Sequence, residues 1–180
     1  MKIFISCSSS NDISDEYKIV TKYLAENISK DNELVFGCAN RGLMGICYNE
    51  FLNNNRNITG VCYEMYKDDL KELNLDEVHI VKTLEESNRK LEEISDIILI
   101  LPGAYGTLSE FIDILEHKRT KLHNKDIVIF NINGFYDELI DMFNKIYVKV
   151  SKNYDFNNLC KVFNTSDEII NYIESKKSSN

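Results

Sequence analysis

The chain has 180 residues, of which 43% are hydrophobic and 28% charged, with a single proline and a formal net charge of −8. That length suits one domain able to bury its own core without disulfides or metals. The acidic balance argues against a nucleic-acid or anionic-membrane surface, which calls for clustered Lys and Arg, although backbone amides can still hold one small phosphate. The first predicted strand runs from Lys2 to Cys7 and is followed by the polar loop Ser8-Ser9-Ser10-Asn11-Asp12. Helical spacing from Ile13 to Lys30 puts Tyr17, Val20, Leu24 and Ile28 on one stripe. Leu34-Val35-Phe36 reads as a second strand ending in the loop Gly37 to Gly42. A helix from Leu43 to Asn54 and a strand from Ile58 to Cys62 follow.

Residues 63–77 are polar and show no clear period, and they lead into a short strand at Val78 to Val81. Leu84 to Ser95 reads as a helix. Ile97 to Leu101 is an unbroken apolar run, the pattern of a strand buried on both faces of a parallel sheet. Pro102 stops it, and Gly103 and Gly106 permit backbone conformations that other residues avoid. Thr107 is placed to cap a helix running to Leu122, with Glu110 in its first turn. Strand Ile127 to Phe130, helix Tyr136 to Val150, a weak strand near Val162 and a helix at Asp167 to Glu174 complete the pattern.

Alternation of strands and helices predicts an α/β fold: a Rossmann-like, doubly wound, mostly parallel sheet with helices on both faces. It makes one nucleotide-binding domain over residues 1–175, with 176–180 a frayed tail. No signal peptide or membrane-length apolar stretch is read, so the expected location is cytoplasmic. The five cysteines are odd in number and lack C-x-x-C spacing, which favours reduced, buried thiols. The three histidines are scattered, so neither a metal nor a cofactor is expected.

In such sheets ligands bind outside the carboxyl ends of the strands, at a topological switch point. Loops 8–12, 37–42 and 102–107 lie at that edge. A glycine-bearing turn leading into a helix N-terminus favours an anion, typically a phosphate. Gly103, Gly106 and Thr107 are the candidate cradle, and Gly37 and Gly42 line a second loop. Ser8 and Ser9 can bond ribose or phosphate, or can cap the helix after Asp12. Arg41 can pair with an anion or stay solvated. Glu110 can serve chemistry, or can close a capping box with Thr107.

Pro102-Gly103-Ala104-Tyr105-Gly106-Thr107-Leu108-Ser109-Glu110 resembles the P-G-G-x-G-T-x-x-E motif of the LOG family, once described as lysine decarboxylases. Gly37 to Gly45 resembles that family's G-G-G-x-x-G-L-M-G, with Cys38 and Ala39 in place of two glycines. Ser8-Ser9, His123-Asn124-Lys125 and Asn131 to Asp137 match later and earlier family segments in order. The family's Arg-Lys pair falls on Ser87 and Asn88, while Arg89-Lys90 lies two residues on, about 200° around a helix. His117-Lys118-Arg119 stands where the family has W-x-Q.

The resemblance implies hydrolysis of a nucleoside 5′-monophosphate, AMP-like and N6-modified purines included, to free base and ribose 5-phosphate, as in cytokinin activation. Glu110 would then be the catalytic carboxylate and Arg89 a catalytic partner of the leaving group or the phosphate, unless Arg89 only forms a surface ion pair with Glu85, Glu86 or Glu93. The resemblance also implies a homodimer. The rival expectation is a nucleotide-binding or sensing domain of the same fold without catalysis.

Overall fold

The computed structural model describes residues 1–152 and 155–177. Seven strands form one sheet: β1 (Lys2–Ser6), β2 (Glu33–Phe36), β3 (Ile58–Tyr63), β4 (Glu77–Val81), β5 (Ile97–Ile100), β6 (Asp126–Phe130) and β7 (Cys160–Phe163). All six pairings are parallel, in the order β4-β3-β2-β1-β5-β6-β7. The chain winds outward from β1 to one edge, then returns to β5 and winds to the other. The switch point therefore lies between β1 and β5, whose register pairs Ser6 with Ile100.

Helices cover both faces, as the doubly wound expectation requires. The strand side chains alternate: Ile3, Ile5, Leu99 and Leu101 join one core, Phe4, Ile98 and Ile100 the other. The first core is closed by α1 (Asp15–Ile28), α2 (Gly42–Asn53) and, from the far end of the chain, α7 (Ser166–Lys177). The second is closed by α3 (Leu84–Ile94), α4 (Tyr105–Arg119), α5 (Asp137–Lys149) and the single turn α6 (Phe156–Leu159). The central strands are buried on both sides, which is why Ile97 to Ile100 read as continuous apolar sequence.

The structure departs from the sequence expectation in several segments, among them three outside the turn at Pro102. Residues 64–72, where no period was legible, form a 3-10 helix that buries no side chain and so leaves no apolar pattern. The turn α6 is an addition, capped by the Asp155 side chain accepting from the Asn157 amide. The last helix runs through Lys177, with Lys176 paired to Asp126 at 2.6 Å, so two residues of the expected tail are helical. Residues 178–180 of that tail lie outside the described residues. No helix among the described residues is long and apolar enough to cross a membrane.

Candidate functional site

A cleft of about 290 Å³ opens at the carboxyl edge of the sheet, over the switch point between β1 and β5. Its walls come from the loop after β1, the end of β3, the start of α3 and the start of α4. Ser8, Ser9, Gly37, Gly106, Thr107 and Glu110 line it, so six of the ten predicted site residues meet there. The lining contains no Lys or Arg.

The turn between β5 and α4 is held from two sides. The Ser8 amide donates to the Pro102 carbonyl at 3.0 Å. The Tyr136 hydroxyl donates to the Leu101 carbonyl at 2.7 Å. Tyr136 is itself fixed by the segment before α5: its amide donates to Asn131 Oδ1, and Asn131 Nδ2 donates to Asp137, each at 2.8 Å. The Asn131 to Asp137 match thus builds a brace for the Pro102 turn and contributes no side chain to the cleft lining.

Helix α4 starts at Tyr105, two residues earlier than expected, and Ala104 occupies the cap position with no side-chain cap. Thr107 is therefore inside the first turn and does not cap the helix. The amides of Tyr105, Gly106 and Thr107 precede the first intrahelical bond, made by Leu108 to the Ala104 carbonyl at 3.0 Å. These donors and the positive end of the helix dipole sit at the cleft wall. The two glycines are not there for left-handed backbone, since neither has positive φ. A Cβ on Gly103 would stand 2.1 Å from Thr107 Oγ1, so this glycine lets the turn close on Thr107. A Cβ on Gly106 would meet nothing of the protein within 4 Å. The fold does not require that glycine; the space beside it is cleft.

Glu110 does not close a capping box. Its Oε2 accepts a hydrogen bond from Ser6 Oγ, at the end of β1. Burial pushes its carboxyl up to about 7, and the Ser6 hydrogen bond pulls part of the way back by favouring the carboxylate. Ser6 is 0% exposed and went unread as a site residue. Its signal was a hydroxyl ending an otherwise apolar strand at the ligand edge of the sheet.

Four predicted site residues lie elsewhere. Gly103 stands behind Thr107. Gly42, at φ +60°, lets loop 8–10 pack on the start of α2, where a Cβ would meet the Ser8 carbonyl at 2.7 Å. Its amide donates to Asn11 Oδ1 at 3.0 Å, and the Met44 amide donates to the Ser8 carbonyl at 3.1 Å. The start of α2 is thereby occupied by protein. Arg41 faces Asp69 at 3.9 Å and is not part of the lining.

Arg89 is exposed and lines a separate groove with Glu92, His117 and Lys125. The Thr83 hydroxyl caps α3 by accepting from the Glu86 amide at 3.1 Å, which fixes where the helix begins. No shift of the helix start brings Arg89 round. Ser87 takes the inward position and lines the cleft, and Asn88 Nδ2 donates to Asp113 Oδ2 of α4 at 3.3 Å. The His123-Asn124-Lys125 match is also away from the cleft: His123 Nε2 contacts the Ile114 carbonyl at 2.9 Å, and Lys125 Nζ donates to the Glu93 carbonyl at 2.9 Å. Among the described residues no three His, Cys, Asp or Glu side chains cluster as a metal site.

Comparison with known proteins places these features in context. A family model described as "Possible lysine decarboxylase" matches residues 44–173. Cytokinin riboside 5′-monophosphate phosphoribohydrolase LOG1 of Arabidopsis thaliana is 27% identical over 146 residues, 80% of this chain and 68% of that protein. Probable cytokinin riboside 5′-monophosphate phosphoribohydrolase LOGL1 of Oryza sativa subsp. japonica is 28% identical over 121 residues, 67% of this chain. The chain spans about half the length of that relative, 54%. Among solved structures, the molybdenum cofactor carrier protein of Chlamydomonas reinhardtii superposes with a TM-score of 0.68 at 14% identity, covering 97% of this chain and 96% of that one. The molybdenum cofactor binding protein of Rippkaea orientalis gives 0.69 at 16% identity, covering 97% and 95%. These two likenesses concern the fold alone.

Proposed function

The chain belongs to the family described as possible lysine decarboxylases, the LOG family, and on that premise we propose that it hydrolyses the N-glycosidic bond of a purine nucleoside 5′-monophosphate. The observation that carries this reading is the uncapped start of α4 with Glu110 one turn further on, in the same cleft. The 5′-phosphate sits on the amides of residues 105–107, with the Thr107 and Ser8–Ser9 hydroxyls completing its shell. That registers the sugar so that C1′ faces Glu110.

Cleavage develops positive charge at C1′, which a carboxylate steadies while orienting a water. The water oxygen bonds to C1′ as the C1′–N bond breaks. Glu110 accepts one water proton, the C1′–N electron pair leaves with the base, and the base nitrogen takes up a proton from solvent as Glu110 releases its own. The products are free base and ribose 5-phosphate. The test is incubation with AMP and chromatographic detection of adenine, repeated with Glu110→Gln. Release in the native protein that falls roughly 10²–10⁴-fold in the variant supports the reading. No release from AMP or related monophosphates overturns it.

One observation favours a second reading, a nucleotide-binding domain without turnover. Ser87 occupies the cleft position to which the family's arginine maps, and the lining carries no cation. Tight AMP binding without base release distinguishes this case. A homodimer is part of the same proposal: Leu84 of α3 and Tyr105 and Ile112 of α4 expose 59%, 89% and 44% of their surface on adjoining elements. Light scattering on the eluting protein tests it, a mass of one chain excluding it.

A further inference from the structure

The cleft has two ends of different chemistry. The hydroxyls of Ser8, Ser9 and Thr107 and the start of α4 make one end. The rest of the lining includes an apolar and aromatic set, Met44, Val61, Tyr63, Tyr66 and Leu84. Tyr63 is the last residue of β3, and Tyr66 follows in the 3-10 helix that had no legible pattern. Their rings meet edge to face, with centroids 6.0 Å apart and planes at 75°. Tyr66 is 51% exposed, Leu84 59%.

A Tyr–Tyr contact of this geometry stabilises the pair beyond simple burial and fixes the orientation of both rings. Tyr63 is partly buried at the end of β3, and Tyr66 beside it keeps half its surface in contact with water. The 3-10 segment that presents Tyr66 has no fully buried side chain, so packing of that segment does not account for its tyrosine. With no Lys or Arg in the lining, this end has nothing to pair with a charged headgroup. It suits a flat, uncharged heteroaromatic ring, and a bicyclic ring covers more of it than a monocyclic one.

We infer that Tyr63 and Tyr66 form the platform on which the base of the ligand stacks, and that they set a preference for purine over pyrimidine monophosphates. The inference rests on the phosphate end of the cleft being read correctly. It assigns a role to Tyr63 and Tyr66, which no sequence motif singled out.

The test uses C-nucleoside 5′-monophosphates, whose base cannot be released: formycin 5′-monophosphate as the purine-like probe and pseudouridine 5′-monophosphate as the pyrimidine-like one. Calorimetric titration compares both with ribose 5-phosphate. The formycin compound is expected to bind about tenfold or more tightly than ribose 5-phosphate, the gain expected of one stacked base, with the pseudouridine compound in between. Tyr66→Ala should bring the formycin compound to within about twofold of ribose 5-phosphate and leave the latter unchanged, because stacking is lost and the phosphate end is not touched. Tyr66→Phe should retain the gain, since stacking needs the ring and not the hydroxyl. Thermal denaturation confirms that each variant is folded, and Tyr66, being half exposed, tolerates the change. If ribose 5-phosphate binds but the base adds nothing, or if Tyr66→Ala and Tyr63→Ala both keep the full gain, the platform is overturned while the phosphate reading stands. If none of the three compounds binds the native protein, the phosphate reading fails and the platform falls with it.

Discussion

The Ser6 hydroxyl at the end of β1 donates to Glu110 Oε2 in the second turn of α4, linking the two sides of the switch point through the candidate catalytic group. Burial and this hydrogen bond act on Glu110 in opposite directions, and burial is the larger. The carboxyl therefore titrates near 7, where small changes in its surroundings alter its charge at neutral pH.

That balance predicts the pH profile. With Glu110 acting as carboxylate, kcat/KM should rise with pH through about 7 and then level off. Ser6→Ala removes the donor that favours the charged form, so the rise should move to higher pH. A substrate phosphate, with its second ionisation near about 6, also titrates in this range. It does not respond to Ser6, so the displacement in Ser6→Ala assigns the limb. An unmoved limb in that variant excludes Glu110 as its source.

The same group makes stability depend on pH. Its ordinary value is 4.5 and its folded value about 7, so between these the folded protein holds a proton that the unfolded chain releases. This contribution is complete below pH 4.5 and is lost as pH rises through about 7. Glu110→Gln keeps the shape without the charge. The variant should exceed the native protein in stability at pH 8 by on the order of 3 kcal/mol or somewhat less, and match it near pH 4. Urea denaturation at the two pH values measures the difference; equal gaps at both would rule the linkage out.

Tyr136 lies outside the cleft but fixes its turn. Tyr136→Phe keeps the ring, which packs against Phe135 at 4.8 Å between centroids, and removes only the donor to the Leu101 carbonyl. Leu101 is fully buried, so its carbonyl loses a partner that water cannot easily replace. The expected cost is about 1–3 kcal/mol by chemical denaturation. Ribose 5-phosphate should also bind more weakly, because the start of α4 loses one of its two supports. A loss of stability with binding unchanged would make Tyr136 structural only.

How far the site was legible follows from what the signals record. The parallel, doubly wound sheet could be reasoned from alternation because parallel strands buried on both faces leave long apolar runs, as at residues 97–100. The Pro102 to Glu110 segment announced itself through glycine, proline and a carboxylate at fixed spacing. The glycines there serve other ends than backbone freedom: Gly103 allows close contact with Thr107, and Gly106 borders open space. Spacing along the chain does not distinguish these from backbone freedom. Arg89 illustrates a different limit. A type match two residues out of register is on the wrong side of a helix, and the Thr83 cap that forbids any shift was visible as a threonine three residues before Glu86. Tyr66 left no trace because a 3-10 segment with no fully buried side chain has no apolar period to read, and Tyr63, the half-buried last residue of β3, falls just past the apolar run that ends at Cys62. Ser6 and Tyr136 act across the sheet, 104 and 35 positions from their partners, where local spacing carries no information.

Gly106 separates what the fold needs from what a ligand needs. It occupies the second position of α4, and a Cβ there meets no protein atom within 4 Å. Gly106→Ala should therefore be neutral or stabilising, by up to about 1 kcal/mol, since alanine narrows the unfolded ensemble and suits a helix better. The added methyl group projects beside the amides that receive the phosphate, so ribose 5-phosphate and AMP should both bind several-fold more weakly. Stability from urea denaturation and affinity from calorimetry would then move in opposite directions in one variant. A variant that is more stable and binds as well as the native protein would show that the phosphate does not approach the start of α4. A variant that is less stable would mean that Gly106 is held by the fold after all, contrary to the free space around it.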